Sequence, residues 1–191
     1  MVNTILGLLR NAARRLDSVR PLLSRTASVR LVAGVSVLVV ACAGGISEGE
    51  PAPNFELALF GNPNNTEGQM VKLSDFKGQP VVVNFWYPSC GPCRLEMPHL
   101  EEASQNHKDD VKFLAAQVPG FDSAEEGQAF VDELGLTFSI GFAEDPQIVA
   151  DYKIIGFPSS VFLNERHEIV RTWGGAINLE KLEELIQELL Q

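Results

Sequence analysis

Cys90 and Cys93 stand two residues apart in "WYPSCGPCRLEMPHL", and they are two of the chain's three cysteines. Thiols at this spacing can hold a metal, lock a turn, or exchange electrons with another disulfide. Structural zinc wants four ligands, usually two such pairs or one pair with histidines. The chain has no second pair, and His99, His107 and His167 show no ligand-like spacing. No metal site is expected. A bridge between residues this close closes a tiny loop and restrains the unfolded chain little, so it is a poor staple. Redox exchange remains, with the Cys90–Cys93 disulfide itself as the redox group and no added cofactor.

The flanking residues position the pair for that chemistry. "PVVVNFWY" is a continuous β-branched and aromatic run, the mark of a strand buried on both faces. Residues from about Gly91 to Asn106 read as a helix. Cys90 then falls at the helix N-terminus, where unpaired N–H groups and a partial positive charge favour thiolate over thiol. Pro92 suits the first turn, where its missing N–H is not needed. Cys93 lies within that turn and can reach back to Cys90.

The rest of the chain supplies a sheet around this junction. "FELALF" and "MVKLSDF" flank a turn-rich "GNPNNTEGQ" and read as an extra N-terminal hairpin. "VKFLAAQV" is a second buried strand. "DSAEEGQAFVDELG" reads as a helix with Asp122 or Ser123 as N-cap and Gly135 as its stop. "LTFSIGF" is a short strand, and "DPQIVADY" a short helix with Pro146 at its first position. "SSVFLN" and "EIVRTWGG" form a hairpin, and "NLEKLEELIQELLQ" an amphipathic helix capped by Asn178. The order ββ–βαβαβαββα predicts an α/β fold, a central mixed β-sheet flanked by helices.

Charge divides the chain in two. Residues 1–47 carry six arginines and one acid, Asp17, whereas residues 48–191 hold 9 Lys+Arg against 24 Asp+Glu, a net of −15. An acidic body argues against nucleic-acid partners, which require a basic footprint. "LVAGVSVLVVA" (residues 31–41) follows the arginines in the order of a secretory signal. Extended to Ile46, the apolar run reaches 16 residues, short of the roughly 20 that span a bilayer comfortably. "VVAC" resembles a bacterial lipobox, in which cleavage precedes the cysteine and lipid joins it. That resemblance implies lipidation at Cys42; an uncleaved signal-anchor is the alternative. Residues 1–47 are thus expected to be a signal or anchor segment, and residues 48–191 a domain tethered to the extracytoplasmic face of the cell membrane.

"WYPSCGPC" resembles a thioredoxin-fold active site. "IIGFPSSVFLN" is similar to that fold's G-x-P-[TS]-x-x-F/L segment, whose proline is cis and faces the cysteines. "APNFEL…VKLSDFKGQPVVVNFW" and "CGPCRLEMPHL" resemble the TlpA/ResA-like membrane-tethered branch of the AhpC/TSA–redoxin superfamily. The likeness covers roughly residues 51–190. It implies a thioredoxin-like fold and thiol–disulfide oxidoreductase activity. It implies that Cys90 attacks, Cys93 resolves, and Glu96 accepts a proton from Cys93. It places a cis Pro158 and Phe157 at the substrate contact, with Trp86 and Tyr87 on an apolar rim. Two positions depart from thioredoxin: Ser89 replaces a tryptophan beside the nucleophile, and Asn84 lies in the strand that holds thioredoxin's buried aspartate.

The function expected from this resemblance is reduction of disulfides in exported proteins, with apo-cytochrome c a candidate substrate and a membrane dithiol carrier as electron donor. A Gly-Pro pair between the cysteines resembles thioredoxin, at about −270 mV, rather than the oxidant DsbA, at about −120 mV. An oxidase or isomerase of exported proteins is the first rival, a peroxidase of the related peroxiredoxin branch the second, and a redox-silent docking module the third.

Overall fold

The structure, a computed structural model, describes residues 48–191. The signal, anchor and Cys42 lipidation expectations fall on residues 1–47 and lie outside the described residues. The strands are β1 (Glu56–Leu59), β2 (Met70–Lys72), β3 (Val81–Trp86), β4 (Lys112–Gln117), β5 (Ser139–Phe142), β6 (Ser159–Leu163) and β7 (Ile169–Gly174). The helices are α1 (Gly91–Asn106), α2 (Ala124–Leu134), α3 (Gln147–Asp151) and α4 (Leu179–Leu189), with a 3-10 turn at Leu73–Phe76.

All seven strands join one mixed sheet in the order β2-β1-β5-β4-β3-β6-β7. β3 lies parallel to β4 and antiparallel to β6. The apolar run at β3 is buried at every residue, as a central strand covered on both faces must be. The N-terminal hairpin is no appendage: β1 pairs with β2 on one side and with β5 on the other, so it widens the main sheet.

Strand alternation sorts the core into two layers. Val82, Trp86, Ala115 and Phe162 pack with Met97 and Leu100 of α1, Phe130 of α2 and Leu182 and Ile186 of α4. Val81, Val83, Phe85 and Val161 face the other way, onto Ile148 of α3 and Tyr152 just after it. Each fully buried side chain of this size contributes roughly 1.5–3 kcal/mol.

Local signals set the helix ends. Ser123, not Asp122, caps α2 and forms a reciprocal capping box with Glu126, while Gly135 ends the helix at φ +62°. Asn178 Oδ1 accepts the Lys181 N–H at the start of α4. Pro146 stands at the cap of α3, one position before the helix proper. Gly127 leaves room in α2 for two buried side chains, because a Cβ there would lie 1.9 Å from Gln117 Oε1 and 2.4 Å from Phe60 Cζ and would have to displace them.

The chain joins the sheet at a defined place. Gly49 N–H donates to Ile169 O at 2.7 Å, Ala52 N–H to His167 O at 2.8 Å, and Ile169 N–H to Glu50 O at 2.9 Å. In the β3–β6 register Val81 lies opposite Leu163 and Phe85 opposite Ser159. The β6–β7 turn is therefore at the end of the sheet remote from the C-terminus of β3, where Cys90 follows.

Candidate active site

The site begins where β3 ends. Cys90 is the N-cap residue of α1, and its Sγ accepts the Cys93 N–H at 3.1 Å. No acidic side chain occupies the first turn. The helix's positive end thus faces Cys90 with no acidic side chain from its own first turn, which favours a thiolate once the pair is reduced. Cys90 and Cys93 are joined in a disulfide with Cα atoms 5.2 Å apart. Cys90 keeps 4% exposure and Cys93 none. An incoming sulfur therefore meets Cys90 first.

Glu96 is three residues beyond Cys93, on the same helical face. It is buried, with 1% exposure. Its carboxyl is held between two donors: Asn84 Nδ2 reaches Oε1 at 2.7 Å, and the Ile177 N–H reaches Oε2 at 3.0 Å. Burial pushes its pKa from the ordinary 4.5 up to about 7, and the Asn84 and Ile177 hydrogen bonds pull against that rise. Desolvation wins. The result is a carboxyl able to take or give a proton near neutral pH.

Asn84 completes the arrangement. Its Nδ2 also donates to Ser160 Oγ at 3.1 Å, joining β3, β6 and α1 through one amide. Its Oδ1 is buried without a partner. The likeness of Asn84 to thioredoxin's aspartate in sequence does not by itself reveal its bond to Glu96. A signal was present, because a lone amide inside "VVVNFW" must find hydrogen bonds. Ser160 and the Ile177 N–H carried no such signal.

The Phe157–Pro158 peptide bond is cis. Ser159 pairs with Phe85 and Ser160 with Asn84, so Pro158 adjoins the end of β3. The Phe157 ring meets Tyr87 edge-on at 5.3 Å. Phe157 is half-buried and reaches the surface beside the Cys90 loop.

Trp86 differs from its expected place on the rim. It is fully buried and packs on Phe130 with ring centroids 4.6 Å apart. Arg94 also lies over the Phe130 ring, its guanidinium carbon 4.7 Å from the ring centre. The reason is strand phase: Trp86 shares the inward face of β3 with Val82 and Asn84. Tyr87, one residue on, takes the rim. His99 is on the surface side of α1, half-buried.

A redox-active cysteine pair at a helix N-terminus, backed by a buried carboxyl on a mixed sheet, defines a thiol–disulfide oxidoreductase of thioredoxin-like fold. Residues 49–172 match the AhpC/TSA family, and the chain belongs to it. The chain is 33% identical over 144 residues to the thioredoxin-like protein YneN of Bacillus subtilis, covering 73% of this chain and 79% of that one. It is 30% identical over 142 residues to the thiol-disulfide oxidoreductase ResA of Oceanobacillus iheyensis, covering 74% and 72%. A solved chain from Chlorobium tepidum, described as thiol:disulfide interchange protein DsbE, superposes with a TM-score of 0.65 at 27% identity, covering 76% of this chain and 99% of that one.

Proposed function

We propose that the protein reduces disulfides in exported proteins at the outer face of the cytoplasmic membrane, with apo-cytochrome c among its candidate substrates. The observation that carries this reading is the Cys90–Cys93 disulfide at the start of α1 with Glu96 buried behind it. In the reduced enzyme the Cys90 thiolate attacks a substrate disulfide. One substrate sulfur leaves as a thiolate and the other joins Cys90. Cys93 gives its proton to the Glu96 carboxylate and attacks Cys90 Sγ. The second substrate thiolate leaves, and the enzyme is left as the disulfide. Two electrons have passed to the substrate. The pair itself carries the redox equivalents, and a membrane dithiol donor restores them.

The ResA and DsbE likenesses support the exchange chemistry. The signal-like residues 31–41 and the lipobox-like "VVAC" ending at Cys42 support the location. Among the described residues no helix is long and apolar enough to cross a membrane.

The direction of electron flow is tested by the reduction potential of the pair. A value near thioredoxin's, about −270 mV, supports a reductase, and a value near about −120 mV reverses the direction to oxidase. Cys90→Ser abolishes insulin disulfide reduction; retained activity in that variant contradicts the mechanism.

A further inference from the structure

The loop between β4 and α2 brings an aromatic ring to the Cys90 surface that the exchange chemistry does not need. Phe121 stacks on Tyr87 with centroids 4.2 Å apart and planes 7° from parallel. It also meets Phe157 edge-on at 5.4 Å. With the Tyr87–Phe157 contact, the three rings form a closed triangle. Tyr87 belongs to the loop that leads into Cys90, and Phe157 precedes Pro158. The triangle therefore flanks the reactive sulfur.

Phe121 is held there. Asp122 Oδ2 accepts the Ser89 N–H at 2.7 Å, one residue from Cys90. From beneath, Gln117 Nε2 donates to Asp122 O at 3.1 Å and Ser123 O at 2.9 Å. These bonds fix the loop from both sides, yet leave Phe121 55% exposed. A ring fixed in the open has unspent stacking and apolar area.

The occupant follows from two facts. Whatever covers these rings lies within reach of Cys90, so it is the segment beside the target disulfide. The domain around it is acidic, with a net charge of −15 over residues 48–191 and exposed Glu125 and Glu126 a few residues past Phe121. We propose that Tyr87, Phe121 and Phe157 form a selectivity platform that docks an extended substrate segment with an aromatic residue near its cysteine and basic residues flanking it. Phe121 is the specificity-determining member. The proposal rests on the thiol–disulfide reading for its choice of occupant.

The test separates docking from chemistry. Short fluorescent peptides carry serine in place of the target cysteine, with either Phe or Gly beside it and two lysines flanking. Binding to the oxidised full-length protein is read by anisotropy. The Phe peptide binds about threefold to tenfold tighter than the Gly peptide, the worth of one good aromatic contact. Replacing its lysines by glutamates weakens it, and salt narrows that gap. Phe121→Ala cuts the Phe preference below about twofold, and Phe121→Trp keeps it. No preference in the wild type, or an undiminished one in Phe121→Ala, overturns the platform. Self-association lost in Phe121→Ala assigns the rings to a second copy instead and overturns it too. Cysteine versions of both peptides, offered as disulfides to the reduced protein, complete the comparison. Preferential binding with no exchange overturns the thiol–disulfide reading and upholds the platform; exchange without preference does the reverse.

Discussion

Asn84 on β3 and Glu96 on α1 meet at 2.7 Å, inside the protein, one amide proton facing one carboxylate oxygen. This contact joins the sheet to the helix that carries both cysteines. It opposes the rise in Glu96 pKa without cancelling it, and leaves the group near 7.

Glu96→Gln tests the cost of that burial. The folded-state pKa of Glu96 lies above its ordinary value, so the folded protein holds an extra proton between about 4.5 and about 7. The stability this group contributes is fully present below about 4.5 and falls as pH rises through about 7, by up to about 3 kcal/mol. Glutamine does not titrate. Relative to wild type, Glu96→Gln therefore gains stability between about pH 5 and about pH 8. Its own hydrogen bonds can be met if the Asn84 amide flips and presents its unpartnered Oδ1. Urea unfolding at the two pH values reads the difference; a gap that stays constant contradicts the shifted pKa.

Asn84→Val removes the donor from Glu96 Oε1. Because that hydrogen bond holds the pKa down, the variant's Glu96 titrates above about 7. Stability falls by about 1–3 kcal/mol as a buried carboxyl loses a partner. At neutral pH less Glu96 is ionised, so proton transfer from Cys93 slows and the pH profile of substrate release moves to higher pH. NMR titration of the Glu96 carboxyl carbon measures the shift directly. An unmoved or lowered value contradicts the role given to Asn84.

Gly127→Ala sets two effects against each other. Alanine is the better helix former by up to about 1 kcal/mol. Its Cβ, however, would meet Gln117 Oε1 at 1.9 Å and Phe60 Cζ at 2.4 Å. Overpacking of this kind costs about 1–3 kcal/mol and wins. Gln117 also holds the Asp122 and Ser123 carbonyls, so the loop bearing Phe121 loosens. Lower urea stability with faster amide exchange at residues 121–123 is expected; a stabilised variant contradicts the packing.

Much of this was legible in the residues. The unbroken β-branched run at β3, the caps at Asp122 or Ser123 and at Asn178, and the stop at Gly135 placed strands and helices, because each is a local signal. The cysteine pair announced its chemistry through spacing and position. Other features depend on which elements meet. The resemblance named Glu96, but its raised pKa arises only from burial, when α1 packs against Asn84 and the backbone of Ile177, residues 12 and 81 positions away. Phe121 reads as an ordinary loop residue until Tyr87 and Phe157 come beside it. Trp86 was misplaced although its phase was available: it shares a face with Val82 and Asn84, and a strand buried on both sides offers no rim.

Which sulfur meets the substrate decides the mechanism. Cys93→Ser, reduced and mixed with a disulfide-bonded protein such as insulin, should accumulate a mixed disulfide, with mass spectrometry of the digest placing the linkage at Cys90. Cys90→Ser should form none. A linkage at Cys93 in the Cys90→Ser variant, or no adduct with Cys93→Ser at any substrate concentration, contradicts dithiol–disulfide exchange through Cys90.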